Sequence, residues 1–248
     1  MGTASQGVVL YPPVRVTGWK RLLDKNFYFF ASLLVAAIAV SGFSRSVGSN
    51  LFHAAVPRPL LLWIHGAVFS AWLAFFIVQS TLVRTRKVRW HRSLGWFGAA
   101  LATAMVPLGI ATAIVMARFR EYRLHQTGVD AFLIIPFYDI SAFAVCLALA
   151  VYWRKKPELH RRMMFIANCA LLSAAFGRFD FLFYNGLMYV AVDAVILLGV
   201  VRDLLLGRSV HKVYRVAFPL LIVAQGFATY TWMKGSSWWL GIAHAILN

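Results

Sequence analysis

The stretch Val88-Arg89-Trp90-His91-Arg92-Ser93-Leu94-Gly95-Trp96 marks the point where a basic segment ends and a long uncharged segment begins. The same arrangement returns at Pro157-Glu158-Leu159-His160-Arg161-Arg162, and in a looser form at Ser209-Val210-His211-Lys212. At each place a histidine followed directly by arginine or lysine precedes an apolar segment. Basic residues beside apolar segments are typical of the cytoplasmic ends of membrane-spanning helices. The three stretches therefore predict a chain that crosses a membrane several times.

The composition agrees with this prediction. Of the 248 residues, 61% are hydrophobic and 13% are charged, and the mean hydropathy is +0.71. A soluble domain of this size needs a more polar exterior. The net charge of +17 is no sign of nucleic-acid binding, because the basic residues lie in short segments between apolar runs. We expect the lipid bilayer of a bacterial cytoplasmic (inner) membrane as the main partner.

Uncharged runs of about 17 to 25 residues are long enough to cross a hydrocarbon core of roughly 30 Å. They predict an all-α, polytopic seven-helix bundle. Residues 1–26 are expected to form a cytoplasmic, interfacial amino-terminal segment, residues 27–233 the membrane domain, and residues 234–248 an outer interfacial segment with a short helix. The predicted spans are 27–43, 60–83, 94–117, 131–153, 163–183, 187–201 and 213–233.

The distribution of basic residues predicts the orientation. With the amino terminus inside, 18 of the 25 Lys and Arg residues fall in inner segments and 7 in outer segments or outer span ends. Each inner connection holds more basic residues than the outer connections beside it. We therefore predict an amino terminus inside and a carboxyl terminus outside.

Four ionisable residues fall within the predicted outer half of the bundle, on four different helices: His65, Asp139, Arg178 and Asp193. At about 1.5 Å per residue the two aspartates lie roughly 10–12 Å below the outer surface. A charge at such a depth costs about 3 kcal/mol on an insertion scale, and it usually faces the bundle interior or a cavity. We predict one polar ligand-binding site formed by these residues, with Tyr138 beside Asp139.

Three alternatives follow for this outer site. His65, Asp139 and Asp193 could ligate a divalent metal ion, since imidazole and carboxylate are common metal ligands. The acids and Arg178 could belong to a transporter or receptor for a polar solute. Alternatively, Arg178 could form a structural ion pair with Asp139 or Asp193, which leaves one carboxylate in need of a proton, a metal or a cationic ligand.

The second predicted span carries a polar stripe. His65, Trp72 and Gln79 are spaced at i, i+7 and i+14, so their polar groups share one face of an otherwise apolar helix. This spacing predicts that the stripe faces the interior of the bundle.

Two interpretations are open for His91 and His160. Histidines at span ends can anchor a helix among lipid headgroups. Alternatively, the two residues ligate haem or a metal from neighbouring helices, in a haem-carrying or accessory subunit of a membrane redox complex. Neighbouring arginines would then pair with haem propionates. A complex partner or a homo-oligomer is compatible with either interpretation.

The motifs His91-Arg92-x-x-Gly95 and His160-Arg161-Arg162-Met163-Met164 resemble those of an uncharacterised family of predicted bacterial membrane proteins. The region of His65-Gly66 with Gln79 is similar to that family's preceding helix, and the resemblance covers roughly residues 60–180. The family brings no established activity, so the resemblance supports the architecture and leaves the function open.

No sequence motif favours an enzyme over the other classes. The chain has no HExxH, no HxxxH pair, no nucleotide-binding loop and no serine elbow. Cys146 and Cys169 lie within apolar runs without metal-type spacing.

Overall fold

The computed structural model describes residues 18–207 and 209–248, and this part of the chain is helical with no β-strand. The amino-terminal residues 1–17 of the predicted interfacial segment lie outside the described residues. The helices are α1 (Gly18–Val47), followed by a π-helical turn (Gly48–Phe52), α2 (Leu60–Arg84), α3 (Val88–Leu124), α4 (Val129–Phe132), α5 (Ile134–Tyr152), α6 (Pro157–Ala170), α7 (Ser173–Phe176), α8 (Asp180–Tyr184), α9 (Met188–Leu205), α10 (Lys212–Lys234) and α11 (Ser237–Leu247).

Among the residues that the structure describes, five helical segments are long and apolar enough to cross a membrane: Gly18–Phe52, Leu60–Arg84, Val88–Leu124, Val129–Tyr152 and Lys212–Lys234. They correspond to the first four predicted spans and the seventh. α2, with 25 residues, extends about 37 Å at 1.5 Å per residue, more than a hydrocarbon core requires. The all-helical class is confirmed, and so are five segments capable of spanning.

The other two predicted spans look different in the structure. The predicted span 163–183 is divided among α6, α7 and α8, with breaks around residues 171–172 and 177–179. The predicted span 187–201 coincides with α9, an 18-residue helix that also contains Asp193, Arg202 and Asp203. Membrane crossing by these two segments remains a prediction.

α5 and α6 lie at the centre of the bundle and make the most extensive helix–helix contact. Small residues allow this close approach, because Ala150 and Ala167 are completely buried along with Phe143 and Ile166. Tight van der Waals packing through small residues is the main source of helix association within a bilayer, where burial of apolar area gives little advantage.

The predicted short carboxyl-terminal helix is present as α11. The Arg118 guanidinium on α3 donates hydrogen bonds to the carbonyl oxygens of Ile246 (2.9 Å) and Leu247 (2.8 Å) at its end. Trp239 donates to the carbonyls of Asp130 and Ala131, at 3.2 Å each. The bonds from Arg118 occupy carbonyl groups that the end of α11 leaves without helical partners. Together with the bonds from Trp239 they fix α11 against α3 and α4.

Candidate functional site

Asp139 on α5 is a buried carboxylate with two hydroxyl partners. Ser173 on α7 donates from Oγ to Oδ2 at 2.5 Å, and Tyr189 on α9 donates from its hydroxyl to Oδ1 at 2.9 Å. A buried carboxylate without donors is costly. The two hydroxyl groups reduce that cost and join three helices at one point.

A chain of polar and aromatic contacts extends from this point toward α10. The rings of Tyr138 and Tyr189 pack edge to face with centroids 5.5 Å apart. The Tyr138 hydroxyl lies 3.4 Å from the carbonyl oxygen of Leu221. One turn later on α10, Gln225 donates from Nε2 to Oδ1 of Asp193 at 3.1 Å. Tyr138, Asp139 and Asp193 therefore belong to one layer of the bundle.

Arg178 does not join the aspartates. Its Nε donates to Ser46 Oγ at 2.8 Å, a second nitrogen donates to a carbonyl one turn earlier, and its guanidinium lies 3.8 Å from the ring centroid of Phe43. Among the residues that the structure describes, Arg178 forms no ion pair with Asp139 or Asp193. The alternative of a structural Arg–Asp ion pair therefore has no support from the geometry.

His65 stacks on Phe69 of its own helix, with ring centroids 4.0 Å apart. Its Nδ1 is buried and has no hydrogen-bond partner. Within residues 18–207 and 209–248, no three His, Cys, Asp or Glu side chains come close enough to hold a metal ion. His65, Asp139 and Asp193 are thus not gathered into a three-residue group in the described structure, and the metal site expected from the sequence remains a prediction.

The polar stripe of α2 faces the interior, as its spacing predicts. Trp72 is 2% exposed and donates from Nε1 to Oδ1 of Asn168 on α6 at 3.0 Å. Gln79 is 8% exposed, and neither its amide oxygen nor its amide nitrogen has a hydrogen-bond partner in the described structure. An unpaired buried amide is unusual in a folded protein and points to a further ligand or water.

His91 and His160 lie next to each other at the opposite end of the bundle. Each residue is in the first turn of its helix, on α3 and α6 respectively. Their ring centroids are 6.2 Å apart, and the ring planes are inclined by 72°. Two histidines that are 69 positions apart in the sequence are therefore brought together from α3 and α6.

The hydrogen bond of His160 determines which of its nitrogens is free. Nδ1 lies 2.8 Å from the carbonyl oxygen of Ala150, and a carbonyl can only accept, so Nδ1 carries the proton. The lone pair of the neutral ring is then on Nε2. Burial lowers the pKa of His160, although the bond to Ala150 acts in the opposite direction. A backbone carbonyl that orients an imidazole in this way is typical of metal-ligating histidines.

Gln79 lies at the level of this histidine pair. α2 and α6 are antiparallel, and they meet at the bond between Trp72 and Asn168. Gln79 is seven residues beyond Trp72, and His160 is eight residues before Asn168. At 1.5 Å per residue both displacements are about 10–12 Å in the same direction. His91 Nδ1 is also buried without a partner, so this end of the bundle contains several unsatisfied polar atoms.

The sequence did not predict a buried ion-pair cluster beside the histidine pair. Arg162 donates to Asp203 from Nη2 at 2.6 Å and from Nε at 3.1 Å, and to Glu158 from Nη1 at 2.6 Å. Arg202 donates to Asp203 at 2.9 Å and also bonds to Asp24. Arg162 and Arg202 are each 1% exposed, and Asp203 is 0% exposed. The cluster connects α1, α6 and α9.

Comparisons with protein-family models, with curated proteins and with solved structures find no match to this chain. The class is therefore defined by the fold and the side chains. The described part of the chain is all-helical, with five apolar helical segments of membrane length, a polar layer around Asp139, and a histidine pair at the opposite end.

Proposed function

We propose that the protein is a haem-binding integral membrane protein, in which His91 and His160 would hold the haem iron, and that it serves as an electron-transfer subunit of a membrane redox complex. The observation that carries the proposal is the pairing of these two histidines, with ring centroids 6.2 Å apart. Haem can be held by two protein side chains. Haem binding is therefore compatible with the absence of any group of three metal-ligating residues from the described part of the chain.

The distance between the rings fits coordination to one metal atom. A metal–nitrogen bond of about 2 Å on each side places two ligating ring centroids roughly 6 Å apart. His160 is oriented by Ala150 with Nε2 free, and His91 has a buried Nδ1 without a partner. When bound, haem supplies one-electron redox chemistry. The residues of this chain hold and orient it.

Arg92 and Arg161 follow the two histidines directly. Arg161 already donates to Glu158 at 2.6 Å. Guanidinium groups bind carboxylates well, so Arg92 is the neighbouring arginine suited to a haem propionate.

The proposed topology places this site on the cytoplasmic side. We propose seven crossings, with α6, α7 and α8 together as the fifth and α9 as the sixth, an amino terminus inside and a carboxyl terminus outside, in a bacterial inner membrane. The excess of basic residues at the end that holds His91 and His160 supports this orientation.

An absorbance spectrum of purified protein tests the proposal. Protein from haem-replete cells, or protein incubated with haemin, should show a Soret band with low-spin features. His91→Ala and His160→Ala should each abolish that spectrum, and added imidazole should restore it in part. His53→Ala is the matched control, because His53 is exposed and distant in sequence from both ligands. A colourless, well-folded wild-type protein after incubation with haemin would contradict the proposal.

A second candidate is a binding site for a small polar ligand in the outer half of the bundle. The specific observation is the buried polar layer of Asp139, Ser173 and Tyr189, which lies where the α6–α7 break interrupts a helix. Irregular backbone at membrane depth is tolerated where it is buried in protein or lines a cavity. A transporter or receptor would use such a layer, with Tyr138 and Asp193 beside it.

Asp139→Asn distinguishes the binding role of this layer from a structural role. In a binding site, the substitution should leave the melting temperature unchanged or raised and should abolish ligand binding, because functional charges are often kept at the expense of stability. If the layer has only a structural role, the same substitution should lower the melting temperature and leave haem binding per folded molecule intact.

A further inference from the structure

A pocket of about 590 Å³ lies between the beginning of α6 and the beginning of α10. Its volume is within the range of about 300–1,000 Å³ that is usual for ligand sites. It is at the same end of the bundle as the histidine pair, since Glu158 and His160 share the first turn of α6. The polar side chains that line it are Glu158, Arg162, Ser209, His211, Lys212 and Arg215.

Arg162 is a buried residue that lines this pocket and is held in place by its acidic neighbours. A guanidinium has five N–H groups. The bonds to Asp203 and to Glu158 use the Nε hydrogen, both Nη1 hydrogens and one Nη2 hydrogen. One Nη2 hydrogen remains. Because Asp203 binds the guanidinium at two points, the orientation of this donor is set before any ligand arrives.

Lys212 and Arg215 provide excess positive charge. Both are exposed, and in the described structure neither forms an ion pair or a side-chain hydrogen bond. Glu158 is the acid that lines the pocket. Its carboxylate accepts hydrogen bonds from Arg162 at 2.6 Å and from Arg161 at 2.6 and 2.7 Å. Its negative charge is thus already engaged by arginines, and Lys212 and Arg215 remain uncompensated.

His211 adds a neutral donor. Its Nδ1 accepts a hydrogen bond from the backbone N–H of Val213 at 3.2 Å, so the neutral ring carries its proton on Nε2. Burial and the charge of Arg162 lower the pKa of His211, against the opposing effect of Asp203. The pocket therefore contains N–H donors of guanidinium, ammonium and imidazole type, with one carboxylate that is already bonded.

We infer that this pocket binds a phosphate group at the membrane surface, supplied by the headgroup of an anionic phospholipid or by a free phosphate compound. Arg and Lys side chains that converge between helices at the cytoplasmic side are suited to anionic lipid headgroups. The excess charge of Lys212 and Arg215 attracts the phosphate, and the oriented Arg162 donor positions it. This inference is independent of haem binding, because the pocket lies on the α10 side of α6 and excludes both His91 and His160.

The experiment uses the full-length protein in neutral detergent, with two probes titrated separately. One probe is a short-chain phosphatidylglycerol, compared with phosphatidylcholine of the same chain length. The other probe is inorganic phosphate. Binding is measured by the change in tryptophan fluorescence and by native mass spectrometry. The test variant is Lys212→Gln with Arg215→Gln, and its matched control is Lys155→Gln with Lys156→Gln, which removes the same charge from a neighbouring exposed segment.

Wild-type protein and the control variant should bind phosphatidylglycerol more tightly than phosphatidylcholine. The test variant should bind phosphatidylglycerol about 30-fold more weakly than wild type, because removal of each basic residue weakens binding by about 5-fold. If millimolar inorganic phosphate competes with phosphatidylglycerol, a free phosphate compound is an alternative ligand. If it does not compete, the ligand is the lipid headgroup. Equal binding by both double variants, or equal loss in both, overturns the inference. If the test variant aggregates, Arg215→Gln against Lys156→Gln gives the same comparison.

Discussion

Asp203 should contribute strongly to stability, because it is the buried acid that connects two buried arginines. Its carboxylate accepts three hydrogen bonds, two from Arg162 and one from Arg202, and all three side chains are 0–1% exposed. Asp203→Asn keeps the shape, removes the charge and replaces one acceptor with a donor. Breaking a buried ion pair by removing one partner costs about 3–5 kcal/mol. Glu158 and Asp24 still partly compensate the arginines, so we expect the lower end, about 3 kcal/mol.

The free energy of unfolding can be measured by SDS titration of detergent-solubilised protein, with helical content followed by circular dichroism. Asp180→Asn is the matched control: Asp180 is exposed, and surface substitutions usually change stability by no more than about 0.5 kcal/mol. A loss below about 1 kcal/mol for Asp203→Asn, on the scale of an exposed ion pair, would refute the claim that the cluster is a buried structural element.

Two further predictions concern topology and pH. Single cysteines are placed at Ser209 and at Gln126 in a background without Cys146 and Cys169. An impermeant reagent added to intact cells should label position 126 only. Labelling of position 209 from outside would contradict the proposed orientation. The pKa of Glu158 is about 2 in the folded state against an ordinary 4.5, so its contribution to stability is complete above about pH 4.5 and is lost as the pH falls toward 2. Glu158→Gln should therefore lower stability at pH 7 and flatten the stability profile over that acidic range.

A pair formed by His91 and His160 was one of the two interpretations that the sequence left open, and the information behind it is local. A basic residue next to a histidine at a span end indicates which side of the membrane that end occupies, and ends on the same side can meet. His91 and His160 follow this rule, and the structure places them in contact. The inward stripe of α2 was predictable for the same reason, since helical periodicity is local.

The buried ion-pair cluster could not be derived from local pattern alone. Arg162 and Arg202 were counted among the inner-side bases, although both are buried and bonded to Asp203. One signal was available in the composition. The chain has 8 acidic residues against 25 basic ones, so an acid at the inner end of a span is favourably placed to meet an arginine. The identity of that arginine depends on how α6 and α9 pack.

The polar layer around Asp139 shows a similar limit. The position of Asp139 within an apolar helix was predictable from the sequence, but its partners Ser173 and Tyr189 were not, because α7 is a separate short helix after a break in the predicted fifth span. Hydropathy identified an apolar segment there and gave no information on the break. The resulting shift in helical phase directs Ser173 toward Asp139 and Arg178 toward Ser46.

The last prediction follows from the contact between α1 and α7, which supports this layer. Gly42 on α1 is buried, and a Cβ added there would lie 2.4 Å from the carbonyl oxygen of Ala175 and 2.8 Å from its Cα. Backbone atoms cannot rotate away, so Gly42→Ala must separate the two helices, at a cost of about 1–3 kcal/mol for overpacking.

Gly66→Ala is the control for this substitution, because nothing lies within 4 Å of a Cβ at that position, and alanine favours helix there by about 0.5–1 kcal/mol. Thermal melting in detergent should therefore rise for Gly66→Ala and fall for Gly42→Ala. Since Ser173 and Ala175 belong to the same short helix, Gly42→Ala should also weaken the bond to Asp139. Equal melting temperatures for the two variants would mean that α7 can move away from α1 at little cost, and the layer around Asp139 would then be too mobile to orient a ligand.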